Sequence, residues 1–208
     1  SSFTALYYPW IEVADHEGGS AEIAPSAHVA GIYARVDQKS GTHKAPANEV
    51  ILDTSKLARA VTANEQKLLN SEGINALRFF PGRGNLVWGV RTLSQDPERK
   101  YVPVRRLLIF LEQSIYKGTQ WTVLEPNDEP LWARVRQNIA DFLIRVWRDG
   151  ALMGVKSEEA FFVKCDRSTM TQDDIDQGRL ICLIGVAPVK PAEFVIFRIG
   201  QWTSDRKS

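Results

Sequence analysis

From Pro130 to Asp149 the chain sets Trp132, Val135, Ile139, Phe142 and Val146 three or four residues apart, with Arg134, Asn138, Asp141, Arg145 and Arg148 between them. At 3.6 residues per turn this spacing gathers the apolar side chains on one face of a helix and the polar ones on the opposite face. A helix about 30 Å long with such a stripe must be covered by another element, so this stretch limits the possible folds more than any other. A partner precedes it, because Pro103 to Lys117 predicts a second helix, closed by Gly118, that buries Leu107, Leu108, Leu111 and Ile115. Gly150 is expected to stop the longer helix. Three runs rich in β-branched and aromatic residues follow, Ala160–Cys165, Arg179–Ala187 and Glu193–Trp202, the last two joined by Pro188-Val189-Lys190-Pro191. They predict an antiparallel sheet packed on the helix pair.

Ahead of Asp96-Pro97 the elements are shorter and mixed, which places a domain boundary there and divides the chain into 1–97 and 98–208. Phe3–Val13 reads as a strand that turns at Glu17-Gly18-Gly19-Ser20. Pro25 opens a helix on which Val29, Ile32, Tyr33 and Val36 share a face, ending near Asp37, and 39–48 is loop-like. Thr62 with Glu65 three residues on has capping-box spacing and announces another helix, closed by Gly73. Strands are expected over Asn75–Phe80 and Asn85–Leu93, around the turn Pro81-Gly82-Arg83-Gly84. The fold class expected is α/β with α+β character.

Charge excludes several functions. The 26 Lys and Arg nearly cancel the 25 Asp and Glu, so no overall field draws the chain to nucleic acid or to an anionic membrane. Its apolar runs, such as 107–111 and 194–197, are far shorter than the roughly 20 residues that span a bilayer. Cys165 and Cys182 each lie inside an apolar run outside any CxxC or Cys/His cluster, and both read as reduced core residues.

Catalytic chemistry finds little to build on. The string Pro25-Ser26-Ala27-His28-Val29-Ala30-Gly31 resembles the P-H-V-A-G helix of subtilisin-like proteases, in which the catalytic serine stands five residues before the histidine. That position is Ile23, which has no nucleophile, and Ser26 and His28, two apart, point to different faces of a helix. His16, His28 and His43 are separated and lack nearby cysteines, so no zinc site is expected. Asp173-Asp174-Ile175-Asp176 after Thr171 reads as an acidic helix N-terminus, where the helix dipole favours negative charge. Gly82-Arg83-Gly84 lacks the third glycine of a dinucleotide fingerprint, and GK[ST] is absent. No catalytic residue, metal or cofactor is therefore expected.

A denser signal comes from whole strings. ALYYPW (5–10), PSAHVAGIYARVD (25–37), KAPAN (44–48), FFPGRG with LVWGVRTL (79–93), YVPVRRL (101–107), QWTVLEPND (120–128), and EAFFVKCD with GVAPVKPAEFVIFRI (159–199) occur in order along the chain. Together they resemble the contractile tail sheath family of phage tails and related injection machines, over practically the whole chain. The resemblance implies that 1–97 is the later portion of a subtilisin-like α/β domain without its triad, and that 98–208 is the sheath C-terminal domain. It further implies a non-enzymatic subunit that stacks in hexameric rings around an inner tube protein, between a baseplate and a terminator or cap. Assembly would take place in the bacterial cytoplasm, before the particle serves as a virion tail or is released. Family members link their rings by terminal arms that add strands to neighbouring subunits, and here Phe194, Val195, Ile196, Phe197, Ile199 and Trp202 are the candidate strand residues. The tube-contact candidates are Arg134, Arg145 and Arg148. Full-length sheath proteins start earlier than this sequence does, so the resemblance implies either a fragment or a chain whose remainder is not shown. A tail tube or baseplate component, and a degenerate hydrolase, are the alternatives at this level.

Overall fold

The computed structural model describes residues 1–15 and 18–193. Along the chain, β1 (Leu6–Tyr8), β2 (Ile11–Ala14) and β3 (Ser20–Ile23) lead to α1 (Ser26–Ser40). Next come β4 (Glu49–Val50), β5 (Lys56–Leu57), α2 (Ala63–Ser71), β6 (Ile74–Phe80) and β7 (Gly84–Val87). α3 (Val102–Gly118) and α4 (Glu129–Arg148) follow, and then α5 (Ser157–Ala160), β8 (Phe161–Lys164), α6 (Gln172–Asp176) and β9 (Leu183–Val186). The fold is mixed α/β, and its described strands form three sheets ordered β1-β6-β7-β4, β3-β2-β5 and β8-β9.

The opening apolar run differs from expectation, because it supplies two strands to two sheets. β1 lies parallel to β6, whereas β2 pairs antiparallel with β3 and β5. Between them stands Pro9, buried and without an N–H to offer a ladder. β4 and β5, two residues each, carried no legible pattern. The capping box of α2 forms as expected: Glu65 N–H donates to Thr62 Oγ1 (3.2 Å) and Thr62 N–H to Glu65 Oε2 (2.9 Å). Gly82 (φ +74°) and Gly84 (φ +84°) supply the left-handed backbone that the β6–β7 hairpin requires.

β7 stops at Val87, six residues before the expected end, and Asn75 explains why. Its fully buried amide donates to the carbonyls of Leu6 (3.0 Å) and Arg91 (2.8 Å), and its oxygen accepts from Arg91 N–H (2.6 Å). A side chain thus replaces the strand ladder over this stretch and leaves Arg91 to bridge instead to Tyr101.

Two cores hold the chain. In the first, Val29, Ile32 and Val36 of α1 pack on Ile11, Leu77 and Val87 from the sheets and on Ile51 just after β4. In the second, Leu107 and Leu111 of α3 meet Leu131, Trp132, Val135, Ile139, Leu143 and Val146 of α4, with Ala160 and Cys165 beyond. The α4 stripe differs from expectation at one step, since Leu143 is fully buried while Phe142 is half-buried, its ring 6.1 Å from that of Phe110 at the rim. Leu108 and Ile115 are also only half-buried. The two cores are joined where Arg106 of α3 pairs with both carboxylate oxygens of Asp37 on α1, its guanidinium 4.6 Å from the Tyr33 ring centre. Cys165 and Cys182 are free thiols, the first buried, and they stand one position past the last pair of the β8–β9 ladder. A hydrogen bond with the Cys182 thiol holds Cys165 below the ordinary thiol range, and the same contact pushes Cys182 up.

Candidate assembly interface

The subtilisin-like string opens α1, with Pro25 as its N-cap. Ile23 ends β3, pairs with Ile11 and packs on the first core, while Ser26 is exposed at the start of α1. The acidic run after Thr171 is the first turn of α6, where Asp174 and Thr171 form a second capping box. Among the described residues no group of three or more His, Cys, Asp or Glu could hold a metal ion. No helix among them is long and apolar enough to cross a membrane.

Surfaces for association are better developed. β8 and β9 pair antiparallel over four positions, Phe161↔Val186 to Lys164↔Leu183. The inner face, Phe161, Val163, Ile184 and Val186, packs on the α3–α4 core. The outer face carries Phe162 and Leu183, both about half exposed. Phe162 lies so close over Gly185 that a Cβ there would meet its ring at 2.1 Å, so the ring can lie on the sheet only because residue 185 has no side chain, and exposed Lys164, opposite Leu183, shares this face. Within the described residues the sheet is two-stranded, and two strands alone are marginal in water. The expected strand residues Phe194, Val195, Ile196, Phe197, Ile199 and Trp202 lie outside the described residues.

The polar stripe of α4 is exposed at Arg134, Asn138, Asp141, Arg145 and Arg148. Arg134 pairs with Glu125 (3.4 Å) and lies 5.3 Å over the Trp121 ring, which ties the stripe to the α3–α4 connection. Asp141 accepts from Gln137, one turn earlier on the helix (2.8 Å). Arg145 lines a cleft with Lys39 and His43 at the end of α1 and Phe110 of α3. In the connection, Leu124 is 99% exposed at φ +69°. Such a position has no periodic signature, and sequence reasoning missed it.

Where the described chain ends, Glu193 is held by side chains from far along the sequence. Arg91 donates through Nε to Oε1 (2.6 Å) and through Nη2 to Oε2 (2.7 Å), and both side chains are 12% exposed. The Tyr101 hydroxyl donates to Oε2 (3.1 Å), Lys100 Nζ lies 4.0 Å away, and Asn70 Nδ2 donates to Oε1 (3.4 Å). Burial alone would raise the Glu193 pKa, but the bonds and charge of Arg91, with Tyr101 and Lys100, hold it below the ordinary carboxylate range. Burial and the Glu193 charge push the Tyr101 phenol up in return. No sequence signal singled out Arg91 or its partners, which lie 92 to 123 residues from Glu193.

Comparison with known proteins bears on these surfaces. Residues 1–93 match the phage tail sheath protein central domain, and residues 94–201 match the phage tail sheath C-terminal domain. The tail sheath protein of Burkholderia phage BcepMu is 27% identical over 162 residues, covering 73% of this chain and 34% of that protein. The sheath complex of an extracellular contractile injection system, PVC, in its contracted state superposes with a TM-score of 0.91 at 41% identity, covering 99% of this chain and 58% of that one. The helical sheath of the anti-feeding prophage (AFP) in its contracted state gives 0.90 at 44% identity, covering 97% and 56%. The chain thus spans little more than half the length of these structural relatives. With the two sheath domains matched over residues 1–201 and more than half of two contracted sheath chains superposed, this chain belongs to the phage tail sheath protein family.

Proposed function

We propose that the chain is part of a contractile sheath subunit, which stacks in hexameric rings around an inner tube and shortens to drive the tube through a target envelope. It would divide near residue 97 into the later part of a subtilisin-like domain without its triad and a C-terminal domain that carries the assembly contacts. The observation that carries this reading is the β8–β9 sheet, whose inner face is buried on the helix pair while its outer face leaves Phe162 and Leu183 about half exposed beside Lys164. Such a sheet is completed by strands from elsewhere, and strand addition suits a machine whose subunits must rotate without separating. Main-chain hydrogen bonds hold a neighbour's arm in place while the domains around it move.

No chemical step enters this mechanism. The relatives are sheath proteins, and contraction would draw on conformational energy stored at assembly, with no nucleotide or metal. The inner tube would meet the exposed α4 stripe of Arg134, Arg145 and Arg148, and baseplate and terminator proteins would hold the two ends. The particle would be built in the bacterial cytoplasm and act as a virion tail or as a released injection machine.

Electron microscopy of the whole purified polypeptide tests the reading. Wide, hollow, cogged helical sheaths are expected. Narrow smooth tubes or dispersed monomers would contradict it and favour a tube or baseplate component.

A further inference from the structure

Between β9 and the last described residue the chain is pinned twice. Val189 N–H donates to the Ala151 carbonyl (3.1 Å), and Leu152 bridges to Pro188, which ties the chain to the C-terminal core. Four residues after Val189, Glu193 is gripped by Arg91, in the segment that follows β7 of the other core. One attachment leaves a pivot, and two attachments on different bodies define a direction. We propose that Glu193 is a positioning residue, whose carboxylate, seated in the socket of Arg91, Tyr101, Lys100 and Asn70, fixes where and in which direction the C-terminal segment leaves the subunit.

The socket is built to hold its place. Asn75 ties both the N–H and the carbonyl of Arg91. Thr92 N–H donates to the Lys100 carbonyl and Val102 N–H to that of Val90, both at 2.8 Å, so Arg91, Lys100 and Tyr101 are presented on a hydrogen-bonded backbone pair. The chemistry also suits positioning better than stability. A largely buried ion pair contributes about as much as apolar residues of the same volume, yet its two-pronged geometry admits only one arrangement of its partners. A strand that starts from a fixed root has its search confined to a small region, which raises its effective concentration at a neighbour's sheet edge.

This inference rests on the reading that the terminal segment links subunits, so the test includes a variant for each. Four forms of the whole polypeptide are compared for sheath number by electron microscopy, well below their melting temperatures: wild type, Glu193→Gln, Val195→Pro and Leu111→Ala. Glu193→Gln keeps the shape of the side chain and removes its charge. Val195→Pro removes the backbone donor that strand addition would use, and Leu111→Ala lowers stability through the second core without touching the socket. The expected result is a loss of sheaths by roughly tenfold or more for Glu193→Gln and Val195→Pro, with Leu111→Ala assembling as wild type. Normal assembly of Glu193→Gln beside a defective Val195→Pro would overturn the positioning role and leave the arm intact. Equal losses in Glu193→Gln and Leu111→Ala would reduce Glu193 to a stabilising contact. Normal assembly of Val195→Pro would remove the arm reading and this inference with it.

Discussion

Asn75 shows how one side chain can end a strand. Three backbone groups, the Leu6 carbonyl and the N–H and carbonyl of Arg91, depend on its amide in a fully buried position. Asn75→Leu keeps the volume and strands all three, and buried unpaired groups are costly, so a loss of about 3 kcal/mol is expected in a denaturant titration. The sequence offered no way to see this, because the apolar pattern over 85–93 continues as if the strand did. The same holds for Glu193, whose partners are distant in sequence. What was legible at single residues was local chemistry: the Thr62–Glu65 box, the acidic turn after Thr171, and Gly82 and Gly84 in the hairpin. Each of these depends on neighbours within a few positions.

Elements were read best where a period runs long. α3 and α4 formed within one residue of their expected bounds, since a helical stripe of four or five apolar residues has no other solution. Spacing alone left Phe142 and Leu143 nearly equivalent, and burial in the second core chose Leu143 for the centre. Leu143→Ala should therefore cost about 3–4 kcal/mol and Phe142→Ala about half as much, because only the first opens a cavity in a closed core. Equal losses measured by thermal unfolding would contradict that placement. Short strands such as β4 and β5 were invisible because two residues carry no period, and the split of Phe3–Val13 into β1 and β2 turns on Pro9 and on tertiary pairing. The candidate arm residues, Phe194 to Trp202, fall beyond the described residues, so their role stands on the resemblance and on the open β8–β9 sheet.

At the scale of the whole molecule, charged contacts among the described residues join the cores, Arg106 with Asp37 and Arg91 with Glu193, while the surface proposed to meet the tube is polar and exposed. That division suits a subunit that must stay intact while its outer contacts change. Exposed ion pairs contribute about 0–1 kcal/mol each and weaken with salt, so many weak copies along a tail can hold register and still let go. Arg134→Glu with Arg145→Glu, about 16 Å apart along one helix face, should leave folding intact and reduce co-assembly with the tube protein, most clearly at low salt, where the charges are least screened. Unchanged tube decoration across a salt series would move the contact to the loop 125–129.

The central claim is that neighbouring subunits complete the β8–β9 sheet, and a helical reconstruction of the assembled polypeptide at side-chain resolution tests it most directly. The account predicts a strand from another copy hydrogen-bonded along a free edge of β8 or β9, with its apolar side chains over Phe162 and Leu183. A sheath in which both edges face solvent, and in which subunits meet through other surfaces, would contradict it.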